Sequence, residues 1–196
     1  NGIGELTSET ESFGQTSYSY NSLGHMIAMT RTLGGQSYTT GYAYDLAGEV
    51  LSITHPSGQR IEYSRDNAAR ITAVDSVAPD GTRTVIANNI TYAAFGPLKA
   101  LDKGDGHNLR ITYDQAYRAL TLRRTNPQGA IMDIAFGYDA AGDILSMTDA
   151  VHPDRSQSFA YDAVSRLTSA DGGYGEIDYT YNLGGDRTQR SWSERG

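Results

Sequence analysis

The sequence predicts an all-β fold, a tandem series of antiparallel hairpins joined into a curved, elongated sheet. Three observations carry that expectation. A turn unit reading Tyr-Asp/Asn-x-x-Gly recurs along the chain. Tyrosine (14) and glycine (22) far outnumber phenylalanine (4) and tryptophan (1), a bias toward half-buried strands joined at turns that need unusual dihedrals. The apolar runs between glycines are short and favour Thr, Val, Ile and Tyr over Leu, Glu and Lys, which suits strands and not helices.

The clearest units are Tyr20, Asn21 and Gly24; Tyr44, Asp45 and Gly48; Tyr138, Asp139 and Gly142; and Tyr181, Asn182 and Gly185. Weaker copies start at Arg65 (RDNAA), Tyr92 (YAAFG, with Gly96), Tyr113 (YDQAY, with Asp114) and Tyr161 (YDAVS, with Asp162). The starts are 20 to 27 residues apart, so about eight units fill the chain as one array over residues 1–196. The chain begins without methionine and ends in mid-pattern, so we expect a fragment of a longer protein.

Within GYAYDLAGEVLSIT, Tyr42 and Tyr44 lie two apart and share one strand face, and Asp45 starts the reversal. Its carboxylate can accept backbone N–H bonds ahead of it, while Gly48 takes the left-handed position that closes the loop. Beyond the turn, apolar residues fall six and nine positions after the unit start, as in Met26/Met29, Val50/Ile53, Ile71/Val74, Leu98/Leu101 and Ile144/Met147. A strand returns to one face every two residues, so a spacing of three predicts a bulge in the returning strand. Ala69, Tyr117 and Ser165 replace the turn glycine; a side chain there costs about 1–2 kcal/mol, so these turns are expected to vary in shape. Arg187 and Arg190 occupy the two apolar positions of the last unit, which fits an exposed end.

Composition narrows the function. Net charge is −7 and the 16 basic residues are dispersed, which argues against a nucleic-acid partner. Cysteine is absent, so there is no disulfide or thiolate metal site. No run of 18 apolar residues and no signal peptide is present, so no transmembrane segment is expected. None of His25, His55, His107 and His152 has a second histidine at metal-binding spacing, and Asp102, Asp105 and Asn108 around His107 do not form a calcium loop. We therefore expect no metal and no cofactor. The aspartates that start each turn, such as Asp45, Asp66, Asp114, Asp139 and Asp162, have a repeated structural use that catalysis does not require. There is no G-x-S-x-G elbow and no phosphate loop, and the reading is of a protein that is not an enzyme.

The cores YDLAGEVLSIT, YDAAGDILSMT and YNLGGDRT resemble the Rhs/YD-repeat family over residues 18–190. That family includes bacterial polymorphic toxins, the shell component of insecticidal toxin complexes, and the teneurins. The resemblance implies a strip of hairpins wound into a hollow shell that holds a toxic or unfolded polypeptide, and a parent that is secreted or delivered to the cell surface. Eight units supply only a segment of such a wall. The implied partners are neighbouring YD repeats and a polypeptide cargo, with self-association through exposed strand edges. The rival reading is a carbohydrate-binding or cell-adhesion module that uses tyrosines on the sheet surface. It requires Tyr117, Tyr174 and Trp192 to gather in one groove.

Overall fold

The computed structural model describes residues 4–194, in seventeen strands and one short 3-10 turn. The chain divides into two compact units, Asn1–Ile90 with Asp102–Asp105, and Thr91–Leu101 with Gly106–Gly196. In the first, β1 (Ser8–Glu11), β2 (Gly14–Tyr20), β3 (Met26–Leu33), β4 (Gln36–Tyr44), β5 (Val50–Thr54), β6 (Arg60–Arg65), β7 (Ile71–Val77) and β8 (Arg83–Tyr92) pair in sequence order, each antiparallel to the next. The strand β9 (Leu98–Lys103) lies across the division in sequence. In the second unit β10 (Asn108–Tyr113), β11 (Ala119–Asn126), β12 (Gly129–Tyr138), β13 (Ile144–Asp149), β14 (Gln157–Tyr161), β15 (Leu167–Gly172), β16 (Gly175–Tyr181) and β17 (Arg187–Ser193) repeat the arrangement. Tandem antiparallel hairpins, the fold class read from the sequence, are what the chain forms.

The predicted bulge is present in the returning strand. In each of seven hairpins the register shifts at the residue that starts the unit, for example between Ser19 and Tyr20, Ala43 and Tyr44, and Gly137 and Tyr138. Tyr44 faces Val50 and Ala43 faces Ser52, which leaves Leu51 as the extra residue; Ile27, Leu120 and Leu145 hold the same place. Beyond the bulge Tyr42 faces Ile53, as Tyr18 faces Met29 and Phe136 faces Met147. The offsets six and nine are therefore the partners of the two aromatic positions on one face of the sheet.

That face is half-buried by its own large side chains, while the other carries small and hydroxyl residues. Threonine pairs bond across it, Thr30 to Thr39 at 2.9 Å and Thr112 to Thr121 at 2.6 Å. Neither unit encloses a deep core. Among the described residues only Val77, Ile90 and Ala170 are buried apolar side chains, and every residue of β17 is exposed, including Arg187 and Arg190. Stability must come from strand pairing and lateral side-chain cover repeated many times.

Candidate functional site

The residues that recur form one device at the tip of each hairpin. Asp45 Oδ1 accepts the N–H groups of Ala47 and Glu49, both at 2.9 Å. Asp66, Asp114 and Asp162 repeat the pattern with their own loops, and Asn21 does so with an amide oxygen; Asp139 accepts from Gly142 and Asp143 N–H, and Asn182 from Asp186 N–H. Backbone bonds complete the loop, Asp45 N to Glu49 O at 2.9 Å and Gly48 N to Asp45 O at 3.2 Å. In the clearest units the fifth residue is left-handed, with φ of 81° at Gly24, 86° at Gly48, 99° at Gly142 and 90° at Gly185.

The expectation that turns lacking glycine change shape is not met. Ala69, Tyr117 and Ser165 keep the left-handed conformation with φ of 61°, 61° and 60°. The one departure is Gly96 at 148°, in the unit where alanine stands in place of the turn aspartate. Each strained turn has a compensation that turns with glycine lack. The next residue is arginine, and its Nε donates to the free carboxylate oxygen of the turn aspartate: Arg70 to Asp66 at 2.9 Å, Arg118 to Asp114 at 2.7 Å, and Arg166 to Asp162 at 2.6 Å. A charge-assisted bond closing the same loop offsets the cost of the left-handed side chain. These carboxyls are held below the usual carboxylate range: Asp66 first by the Arg70 guanidinium, Asp114 and Asp162 first by the N–H of Arg118 and Arg166.

The second function of the turn is to bind the preceding unit. Tyr44 Oη donates to Met26 O at 2.8 Å, Tyr138 Oη to Ala119 O at 2.8 Å, Tyr113 Oη to Leu98 O at 2.7 Å, and Tyr181 Oη to Leu167 O at 2.8 Å. The acceptor is always the residue six places into the previous unit. The ladder between hairpins stops short of it, at Ala28–Gly41 for β3 and β4 and at Thr121–Ala135 for β11 and β12, so this carbonyl lacks a strand partner and the phenol supplies one. Arg65, which replaces the tyrosine, does the same work: its Nη2 lies 3.2 Å from Val50 O. Tyr20 reaches Leu6 O at 2.8 Å, so Gly4 (φ 84°) and Leu6 hold the fifth and seventh places of a further partial unit.

The residue after the left-handed position also packs on the next tyrosine. His25 lies on Tyr44 with ring centroids 4.9 Å apart, and the guanidinium carbons of Arg118 and Arg166 sit 4.7 Å from the ring centres of Tyr138 and Tyr181. Each is a cation or ring held over a π face, and each ties one unit to the next. At the opposite ends of the strands Pro79 packs over Gly58 and Pro127 over Gly106, a second line of contacts between successive loops.

Of the residues singled out in the sequence, the Tyr, Asp/Asn and Gly sets converge within their own turns, and the tyrosines additionally bridge to neighbours. Tyr92 ends β8, and in the loop after it Ala93 N donates to Pro97 O at 2.9 Å. Tyr161 is half-buried, and among the described residues its hydroxyl makes no hydrogen bond. Sequence reasoning missed Arg70, Arg118 and Arg166, although the signal D-x-x-x-R stands in each of the three units without glycine. Near His107, Asp102 accepts from Asn89 Nδ2 at 2.9 Å and Asp105 pairs with Lys103 at 2.9 Å. Among the described residues no group of three His, Asp or Glu could hold a metal ion.

Known proteins resemble this chain in sequence and in fold. The RHS Repeat family matches residues 1–36 and 44–83. The chain is 26% identical over 161 residues to toxin subunit YenC2 of Yersinia entomophaga, covering 74% of this chain and 17% of that protein. It is 27% identical over 139 residues to double-stranded DNA deaminase toxin A of Burkholderia cenocepacia, covering 67% of this chain and 10% of that protein. The Photorhabdus luminescens Tc holotoxin pore superposes with a TM-score of 0.73 at 20% identity over 96% of this chain and 12% of the other. The crystal structure of TcdB2-TccC3 with Cdc42 gives 0.74 at 18% identity with the same coverage. The chain thus spans about a sixth or less of each relative, and the structural likeness speaks to fold. With repeated Tyr-Asp turns, tyrosine hydroxyls that bind several turns to the one before, and RHS repeats matched over residues 1–36 and 44–83, the chain is similar to the Rhs/YD-repeat family.

Proposed function

We propose that this chain is a length of wall in a toxin-complex shell, whose strip of hairpins encloses or presents a polypeptide cargo. The observation that carries the reading is the bond by which Tyr44, Tyr113, Tyr138 and Tyr181 each tie their unit to the one before it. Such a bond has no use in an isolated hairpin and every use in a strip that must stay continuous. The strip carries out no reaction of its own, because its repeated aspartates are committed to turns and its histidines serve as packing or loop residues. The activity printed in the name of the Burkholderia relative belongs to that protein, of which this chain matches 10%.

A glycan-binding role is the weaker reading. Tyr117 sits in a tip beside Ala93, Lys99 and Asp114, whereas Tyr174 lies in the turn between β15 and β16, where its carbonyl accepts from Trp192 Nε1 at 2.7 Å. The three aromatics do not form one groove.

The test uses the two faces of the sheet. Single cysteines replace Ser19, on the hydroxyl face, and Thr16, on the aromatic face, first in this chain and then in the toxin-length polypeptide that carries it. A wall predicts that a membrane-sized maleimide reagent too large to pass through the sheet labels both positions in the free chain and only one in the larger protein. Labelling of both faces in the larger protein contradicts enclosure.

A further inference from the structure

We propose that the seam between β13 and β14 is a built-in weak joint, at which the strip opens while the hairpins on either side stay folded. Four observations converge there. The strands share only the pairs Ser146–Ser158 and Met147–Gln157, whereas the equivalent seams between hairpins in the same unit have six pairs for β11 with β12 and four for β15 with β16. The flanking seams are also bound by tyrosine, Tyr138 to Ala119 O and Tyr181 to Leu167 O, both at 2.8 Å. Tyr161 should occupy that role at this seam, yet among the described residues its hydroxyl makes no hydrogen bond.

The third observation is the residue that packs on the tyrosine. Arg118 and Arg166 lie over Tyr138 and Tyr181 and reach across to the carbonyls of Asp139 and Asn182 at 3.4 and 3.5 Å. At the corresponding place before Tyr161 stands Asp143, an anion that cannot make the cation–π contact. Burial, together with the Asp143 and Asp139 carboxylates, pushes the Tyr161 phenol up from its ordinary value. The fourth is the connection itself. A 3-10 turn at Pro153–Arg155 replaces a tight hairpin loop, and Asp149 N donates to Ser156 Oγ at 3.0 Å where the ladder would continue. A cavity of about 160 Å³ opens beside it, lined by Met132, Ile134, Met147, Asp149, Arg155 and Gln157.

The Asp149 carboxylate accepts the N–H groups of Val151 and His152 at 2.9 and 3.1 Å, which fixes the start of the connection rather than the seam itself. In a strip whose units contact only their neighbours, separation at one seam leaves the flanking hairpins intact, so the joint gives the array a defined place to bend or part.

Hydrogen exchange followed by mass spectrometry on the 196-residue chain tests this. Peptides covering residues 146–148 and 157–159 should exchange about tenfold faster than those of the β11–β12 and β15–β16 seams. Asp143→Arg places an arginine where it can pair with Asp139 and cover Tyr161, and should slow exchange at the β13–β14 seam by about threefold to tenfold with no change at β11–β12. Arg166→Asp should make the β15–β16 seam exchange as fast as the natural weak one, and decides the matter if Asp143→Arg fails to fold. Equal protection at the three seams overturns the proposal, as does a folded Asp143→Arg variant with unchanged exchange.

Discussion

Replacing a turn glycine with alanine separates two costs that the structure predicts to be distinct. At Gly24 (φ 81°) an added Cβ meets nothing within 4 Å, so Gly24→Ala carries only the left-handed penalty of about 1–2 kcal/mol. At Gly48 (φ 86°) the same methyl would stand 3.0 Å from His25 Cε1 and 3.1 Å from its Nε2. His25 is held there by its stack on Tyr44, so it must slide off that ring or push the turn outward. Crowding of this kind costs about 1–3 kcal/mol, with the lower end suited to a half-buried strip edge. Gly48→Ala should therefore lose about 1 kcal/mol more than Gly24→Ala, close to 2–4 °C in melting temperature for a chain of this size. Urea denaturation followed by circular dichroism measures both variants, and His25→Ala in the Gly48→Ala background should reduce the excess to nothing. Equal losses at Gly24 and Gly48, or an excess that survives removal of His25, would refute the reasoning.

Three other outcomes follow from the same geometry. Arg166→Met, which keeps the apolar stem but loses the bond to Asp162 and the contact with Tyr181, should cost about 1 kcal/mol by chemical denaturation. Ala69→Gly should stabilise by up to about 1 kcal/mol, because relief of the left-handed strain exceeds the extra chain entropy of glycine; a loss of stability would show that the turn is not strained. Asp66, Asp114 and Asp162 have folded-state pKa values below their unfolded ones, so their contribution is complete above the ordinary carboxylate range near pH 4 and is lost as pH falls through it and below. Melting temperature measured from pH 6 to pH 2 should drop in that acid window, and Asp114→Asn with Asp162→Asn should flatten the drop.

The parts of this fold legible in the sequence are those fixed within a dozen residues. Asp45 and Gly48 define the loop by local chemistry, and the spacing of Val50 and Ile53 reveals a bulge because the side-chain period of a strand admits no other way to keep both on the face of Tyr44 and Tyr42. The destination of the tyrosine hydroxyl was not legible. It depends on where the ladder between two hairpins ends, a distance of 18 residues for Tyr44 and Met26 that no turn pattern encodes. Ala69, Tyr117 and Ser165 look like defects when each turn is weighed by its own glycine. Considered with Arg70, Arg118 and Arg166 they are a second version of the same turn, in which an ion pair closes the loop. The weak β13–β14 seam was hidden for the reverse reason: YDAAGD matches the repeat better than its neighbours do, and the deficit lies in what Asp143 fails to do for Tyr161.

The central claim is that Tyr44, Arg65, Tyr113, Tyr138 and Tyr181, each starting a unit, bond that unit to the one before it, and Tyr138→Phe tests it most directly. The substitution removes one hydroxyl and leaves the ring under Arg118. Hydrogen exchange should rise around residues 119–121 and at the end of β12 by about threefold to tenfold, the loss of one hydrogen bond of about 0.5–1.5 kcal/mol, while the β2–β3 hairpin is unaffected. Exchange unchanged near Ala119, or raised equally across all hairpins, would contradict an array joined unit by unit.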